Sequence, residues 1–228
     1  MRVYSNLAIS IDGKISSFDR KAKRFASDAD RTRMEELRFE ADAVIHGAGT
    51  VREHPHPILI KNQEFIKRRQ EQGKSPHPLN VILSHSLDLP FPSKFFQSEE
   101  TAKLIYTVRS ANKEKLKKLS PYSELVIFQE DKIDPKRVVE DLGSRKVHSL
   151  LIEGGGELMA SFLKANLINE MFVTVCPLIF GGKLAPTLVD GEGFLLPEAP
   201  RLQLLDSKVV NEELFLHYKV VHKGFYLN

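Results

Sequence analysis

Leu151-Ile152-Glu153-Gly154-Gly155-Gly156-Glu157-Leu158 reads as a buried strand that runs into three glycines and then directly into a helix. Upstream, Val147-His148-Ser149-Leu150-Leu151-Ile152 has the length and apolar content of a buried strand; downstream, Leu158, Phe162 and Leu163 recur at helical spacing. Glycines at such a turn let backbone amides approach an anion closely, and the helix N-terminus adds its dipole. The same order recurs where Ala43-Val44-Ile45 runs into Gly47-Ala48-Gly49-Thr50-Val51-Arg52. Ligands of open α/β sheets bind at the carboxyl ends of strands, so two glycine-bearing turns there suit a ligand carrying several phosphates. Neither turn is a Gly-x-Gly-x-x-Gly fingerprint or a Walker loop, and a plain tight turn is the alternative reading of each.

Working outward, residues 2–11 form a strand with Val3, Ser5, Leu7, Ile9 and Ile11 on one face, closed by a tight turn at Asp12-Gly13. Ser27 is the N-cap of a helix with Asp28 and Asp30 in its first turn and Met34, Leu37 and Ala41 as its apolar stripe. Residues 53–78, with Pro55, Pro57, Pro76 and Pro78, read as an irregular excursion too polar for a core. Strands follow at 80–83, 103–108 and 125–128, and a Lys-rich helix at about 110–119. Asp134-Pro135 opens another helix with Gly143 as its exit. A strand at 170–175 and two strand runs in 202–221 around Asn211-Glu212 complete the pattern. Alternating strands and helices followed by paired strands argue for one α/β domain, a mainly parallel sheet with an antiparallel C-terminal edge.

The chain has 228 residues, 42% hydrophobic and 28% charged, the balance of a folded globular protein. No apolar run reaches bilayer length, and the N-terminal residues lack a signal-peptide core. The lone Cys176 excludes internal disulfides and cysteine-based metal clusters. A cytoplasmic location, with no membrane contact, is the expectation. Of the formal +3 charge, all resides in 61–74, where Lys61, Lys67, Arg68, Arg69 and Lys74 face only Glu64 and Glu71. A nucleic-acid surface would spread its charge more widely, so a solvated helix or loop is the reading here. His54, His56, His77 and His85 fall in no standard ligand spacing, so no metal is expected. No activated Ser or Cys nucleophile is evident, which leaves redox chemistry on a bound cofactor.

Four segments, taken together, resemble the riboflavin-biosynthesis pyrimidine reductases of the dihydrofolate-reductase-like fold. They are Ser10-Ile11-Asp12-Gly13-Lys14-Ile15, Gly47-Ala48-Gly49-Thr50-Val51, Glu153-Gly154-Gly155-Gly156 and Pro177-Leu178-Ile179-Phe180-Gly181-Gly182-Lys183. The run from Ala185-Pro186-Thr187 through Asp190-Gly191-Glu192-Gly193-Phe194 looks like the stand-alone archaeal type. The resemblance implies a three-layer α/β/α fold and an NADPH-dependent reduction of a ribosylamino-pyrimidine 5′-phosphate to its ribitylamino form, with hydride reaching C1′ of the opened ribose imine. It implies that Thr50, His54, Ser84, Gly154, Gly155, Gly156, Glu157 and Leu158 contact the cofactor. Ser27, Arg38, Lys61 and Glu153 would contact the substrate, with Glu153 and His54 at the reacting centre. It also implies a homodimer.

Three positions depart from the family pattern. His54 stands where an aspartate is usual, Ser84-His85 replaces Asp-Ser, and residues 62–77 are an insertion. They motivate a related reductase acting on another carbonyl, imine or pterin-like compound as the alternative. A non-catalytic nucleotide-binding module, RNA-associated through 61–74, is a further one.

Overall fold

The computed structural model describes residues 1–21 and 25–221, which hold nine strands and seven α-helices. In chain order they are β1 (Arg2–Ser10), α1 (Asp28–Glu40), β2 (Ala43–Gly47), α2 (Ala48–Glu53), α3 (Gln63–Glu71), β3 (Leu79–Leu83), α4 (Lys94–Gln97), β4 (Lys103–Val108) and α5 (Lys113–Leu119). Then come β5 (Glu124–Phe128), α6 (Pro135–Ser144), β6 (Ser149–Ile152), α7 (Gly156–Lys164), β7 (Glu170–Cys176), β8 (Arg201–Val210) and β9 (Glu213–Val221). The chain divides into two compact units, one of Met1 with residues 35–151 and one of 2–34 with 152–228.

In the first unit β5, β4, β3 and β2 pair in parallel, with β6 beside β2. The strands are short apolar runs buried on both faces, as Val44, Ile45, Val81 and Ile82 show with no exposed surface. Val51 of α2 sits in a core with Ile82, Phe95, Ile105 and Leu119, which fixes the glycine-bearing segment after β2. The Gly47–Thr50 stretch is therefore a helix start, with Gly47 as N-cap, and not a loop.

In the second unit β1 pairs in parallel with β7, and β7, β9 and β8 follow antiparallel. The β8–β9 hairpin turns at Asn211 and Glu212, both at positive φ. The fold class is thus mixed α/β, mostly parallel with an antiparallel C-terminal edge.

Several local expectations need correction. Strand β1 buries Tyr4 and Asn6 as well as Val3 and Leu7, because it is covered on both faces; Ile11, beyond its end, is exposed. Gly143 lies within α6, whose C-cap is Arg145. The largest correction concerns 53–78, which contains α3, capped by the Asn62 side chain accepting from the Glu64 and Phe65 amides. Its Arg69 is 1% exposed. Arg69 Nη1 donates to the carbonyls of Phe39 and Ala41, both at 2.7 Å, and of Arg38 at 3.3 Å, while Nε donates to Ser75. A guanidinium meeting the C-terminal carbonyls of α1 satisfies groups with no intrahelical partner and faces the negative end of the helix dipole. Lys74 pairs with Asp42 at 2.8 Å, Arg68 stacks over Phe39, and Phe65 meets Phe39 at 5.0 Å. The basic run thus fastens an added helix to the end of α1, and two of its five cations have no free charge to offer a nucleic acid.

Candidate active site

The triple glycine divides its work. Gly154 lies at φ +101°, a conformation open to glycine, and a Cβ there would meet Leu7 Cδ2 at 3.4 Å. Gly155 is the N-cap of α7 and brings no side chain to accept from the helix's first amides. Gly156 is sealed from above: a Cβ there would lie 2.5 Å from the Thr187 carbonyl oxygen and 2.4 Å from Asp190 Oδ2. The 187–190 turn is closed by Asp190 Oδ1, which accepts from the Thr187 amide and hydroxyl, and the Asp190 amide donates to the Gly156 carbonyl. We expect Gly156→Ala to destabilise the protein by about 1–3 kcal/mol, because a backbone carbonyl must move. A melting temperature unchanged from wild type would contradict this packing.

Leu158 is 7% exposed and points into the core, and Glu157 is exposed. The Leu158 side chain is thus turned away from the turn, which leaves its backbone amide as the group it presents there. The uncapped amides of a nine-residue helix behind an extended glycine fit the phosphates of a dinucleotide. Glu153, half-buried, stands immediately before the turn. In the same unit the Ser27 hydroxyl accepts from the Ala29 and Asp30 amides as the helix cap. Ser27 also donates its amide and hydroxyl to the carboxylate of buried Glu213. Burial, reinforced by Glu213, pushes the Cys176 thiol up to about 12, so it stays protonated.

In the first unit Thr50 lies half-buried on α2, and its carbonyl accepts from the amide of exposed His54 at 2.8 Å. Ser84 is buried at the end of β3, and its hydroxyl accepts from the Leu87 amide at 3.0 Å. Arg38, on the last turn of α1, is an ion-pair neighbour of Glu35 at 3.7 Å and donates to the Leu59 carbonyl at 3.4 Å. Lys61 projects its side chain into solvent while its amide donates to Glu35 Oε2 at 2.7 Å. Arg38, Lys61 and Glu35 are thus brought together. Burial, with the Arg38 guanidinium adding to it, pulls the His46 imidazole down to about 4, so it is neutral at pH 7. His77 Nδ1 accepts from the Ile60 amide and His85 Nε2 from the Ile133 amide. Among the described residues no three His, Cys, Asp or Glu side chains gather to hold a metal ion, and no helix is long and apolar enough to cross a membrane.

The sequence reading missed Glu35, whose only signal is its i,i+3 spacing to Arg38, and the part played by Asp190 in closing the turn over Gly156.

A model of the RibD C-terminal domain matches residues 2–216. The chain belongs to the RibD C-terminal domain family. It is 34% identical over 193 residues to the 2,5-diamino-6-ribosylamino-4(3H)-pyrimidinone 5′-phosphate reductase of Archaeoglobus fulgidus, covering 85% of this chain and 88% of that protein. Among solved structures, a pyrimidine reductase-like protein from Corynebacterium diphtheriae superposes with a TM-score of 0.86 at 23% identity, over 97% of this chain and 92% of that one. A dihydrofolate reductase from Enterococcus faecalis superposes with a TM-score of 0.53 at 10% identity, over 96% of each. The dihydrofolate-reductase-like fold of this RibD-family chain follows from these likenesses.

Proposed function

We propose that this chain is the NADPH-dependent oxidoreductase of riboflavin biosynthesis that reduces a 2,5-diamino-6-ribosylamino-pyrimidinone 5′-phosphate to its ribitylamino form. The observation that carries this reading is the 34% identity to the archaeal reductase over most of both chains. A reductase of this pathway calls for a nicotinamide cofactor, and NADPH is the form we propose.

When bound, the reduced nicotinamide supplies the hydride. The chain's own part is to bind and orient. In this reading the amides of Gly154 to Leu158 hold cofactor phosphates, and the glycines keep side chains out of their way. Glu153, next to that turn, contacts the substrate near its reacting carbon, and its carboxyl group accepts or holds a proton there. Arg38 and Lys61 meet the substrate's 5′-phosphate by charge-assisted hydrogen bonds. Thr50, His54 and Ser84 are proposed as cofactor contacts, with His54 also near the reacting centre, and Ser27 as a substrate contact. We further propose that the protein works as a homodimer in the cytoplasm.

Glu153→Ala separates these roles. It should lower kcat/KM by more than about tenfold and leave the NADPH dissociation constant within about twofold of wild type. The reverse pattern would move Glu153 to the cofactor side. Fluorescence titration with NADPH and NADH follows the binding directly, since the chain has no tryptophan to add background. Preference for NADPH is the expected result; equal affinity for both would overturn the cofactor assignment.

A further inference from the structure

The two cations proposed for the substrate phosphate share an anchor. Glu35 is 8% exposed. Its Oε2 accepts from the amides of Lys61 at 2.7 Å and Asn62 at 3.2 Å, and its Oε1 faces Arg38 Nη1 at 3.7 Å. The same loop meets Arg38 a second time through the Leu59 carbonyl. Asn62 is also the residue that caps α3, whose Arg69 grips the carbonyl of Arg38 itself. One buried carboxylate thereby ties the base of Lys61, the guanidinium of Arg38 and the start of the added helix to a common frame.

We infer that Glu35 is a positioning residue for the recognition of a phosphomonoester, acting through Arg38 and Lys61. Lysine and arginine are long, rotamer-rich side chains, and an anion that must order them both binds more weakly. Fixing the backbone under one and the head of the other removes part of that ordering from the binding step. A carboxylate this close to a phosphate site would repel the ligand if it faced it bare. Here Oε2 is engaged by two amides and Oε1 lies against the guanidinium, so the charge is directed at the protein. The inference rests on the reading of Arg38 and Lys61 as phosphate contacts.

The test compares the 5′-phosphorylated substrate with its dephosphorylated counterpart for wild type, Glu35→Ala and Glu35→Gln. Glu35→Ala should raise KM for the phosphorylated compound by about tenfold, the effect expected from weakening a charge-assisted contact. Its kcat, and its KM for the dephosphorylated compound, should stay within about twofold. Glu35→Gln, which keeps an acceptor for the Lys61 and Asn62 amides, should recover most of the loss. If Glu35→Ala fails to fold, Glu35→Asp, which keeps the charge and shortens the reach, takes its place with the same expected KM pattern. Equal changes toward both compounds would mean a general loosening and overturn the inference. A wild type that turns over both compounds alike would instead remove Arg38 and Lys61 from the phosphate. A wild type that turns over neither would remove the functional reading and the inference with it.

Discussion

Gly155→Asp is expected to raise the NADPH dissociation constant by about a hundredfold or more while the protein stays folded. The two halves of that result have separate causes. Gly155 is the N-cap of α7 at φ −75°, ψ 174°, an extended conformation that any residue adopts. Aspartate is a favoured N-cap, and its carboxylate would accept from the first-turn amides that the wild-type glycine leaves uncapped. The helix is therefore stabilised or left unchanged. Those amides are the ones proposed for the cofactor phosphates, and the added carboxylate both occupies them and repels a second anion. A hundredfold loss corresponds to about 2.7 kcal/mol. Calorimetric titration, with a thermal melt of the same sample, reads both quantities. Unchanged affinity in a folded variant would show that the turn holds no phosphate.

Arg69→Met is expected to lower the unfolding free energy by about 3 kcal/mol. Methionine keeps a buried apolar stem and removes only the guanidinium. The carbonyls of Phe39 and Ala41 would each lose a 2.7 Å charge-assisted bond, and those of Arg38 and Ser75 a further one apiece. Hydrogen bonds to charged groups contribute about 1.5–3 kcal/mol each, and recovered water at the more open carbonyls offsets part of the sum. Urea unfolding should show a lower midpoint with an unchanged slope. A change below about 0.5 kcal/mol would mean that α3 is not held to α1 by this residue.

Much of the fold was legible because its signals are local. Ser27 at a cap, Asp134-Pro135 at a helix entry and the apolar runs before Gly47 and Gly154 each specify their structure within a few residues. Alternation misled at β1, where burial on both faces replaced the period-two pattern and put Tyr4 and Asn6 inside. Arg69 was illegible for a different reason. Polarity predicts exposure, and nothing near it in sequence reveals that its guanidinium would find the far end of α1. Glu35 is similar: its partners Lys61 and Asn62 lie about 26 residues away, and loop closure of that length leaves no local pattern. In the candidate site, the glycine turn was readable as an anion-binding motif. That Gly156 is a glycine because of the Thr187–Asp190 turn, while Gly155 is the residue at the helix cap, required the packing.

Reduction of a ribosylamino-pyrimidine 5′-phosphate with NADPH is the proposed activity on which the site assignments rest. Loss of the reduced nicotinamide's absorbance on adding the 2,5-diamino-6-ribosylamino-pyrimidinone 5′-phosphate to enzyme and NADPH measures it directly. Steady oxidation is expected, matched one to one by the ribitylamino product and abolished when the substrate is left out. Tight NADPH binding with no oxidation in the presence of that substrate would contradict it.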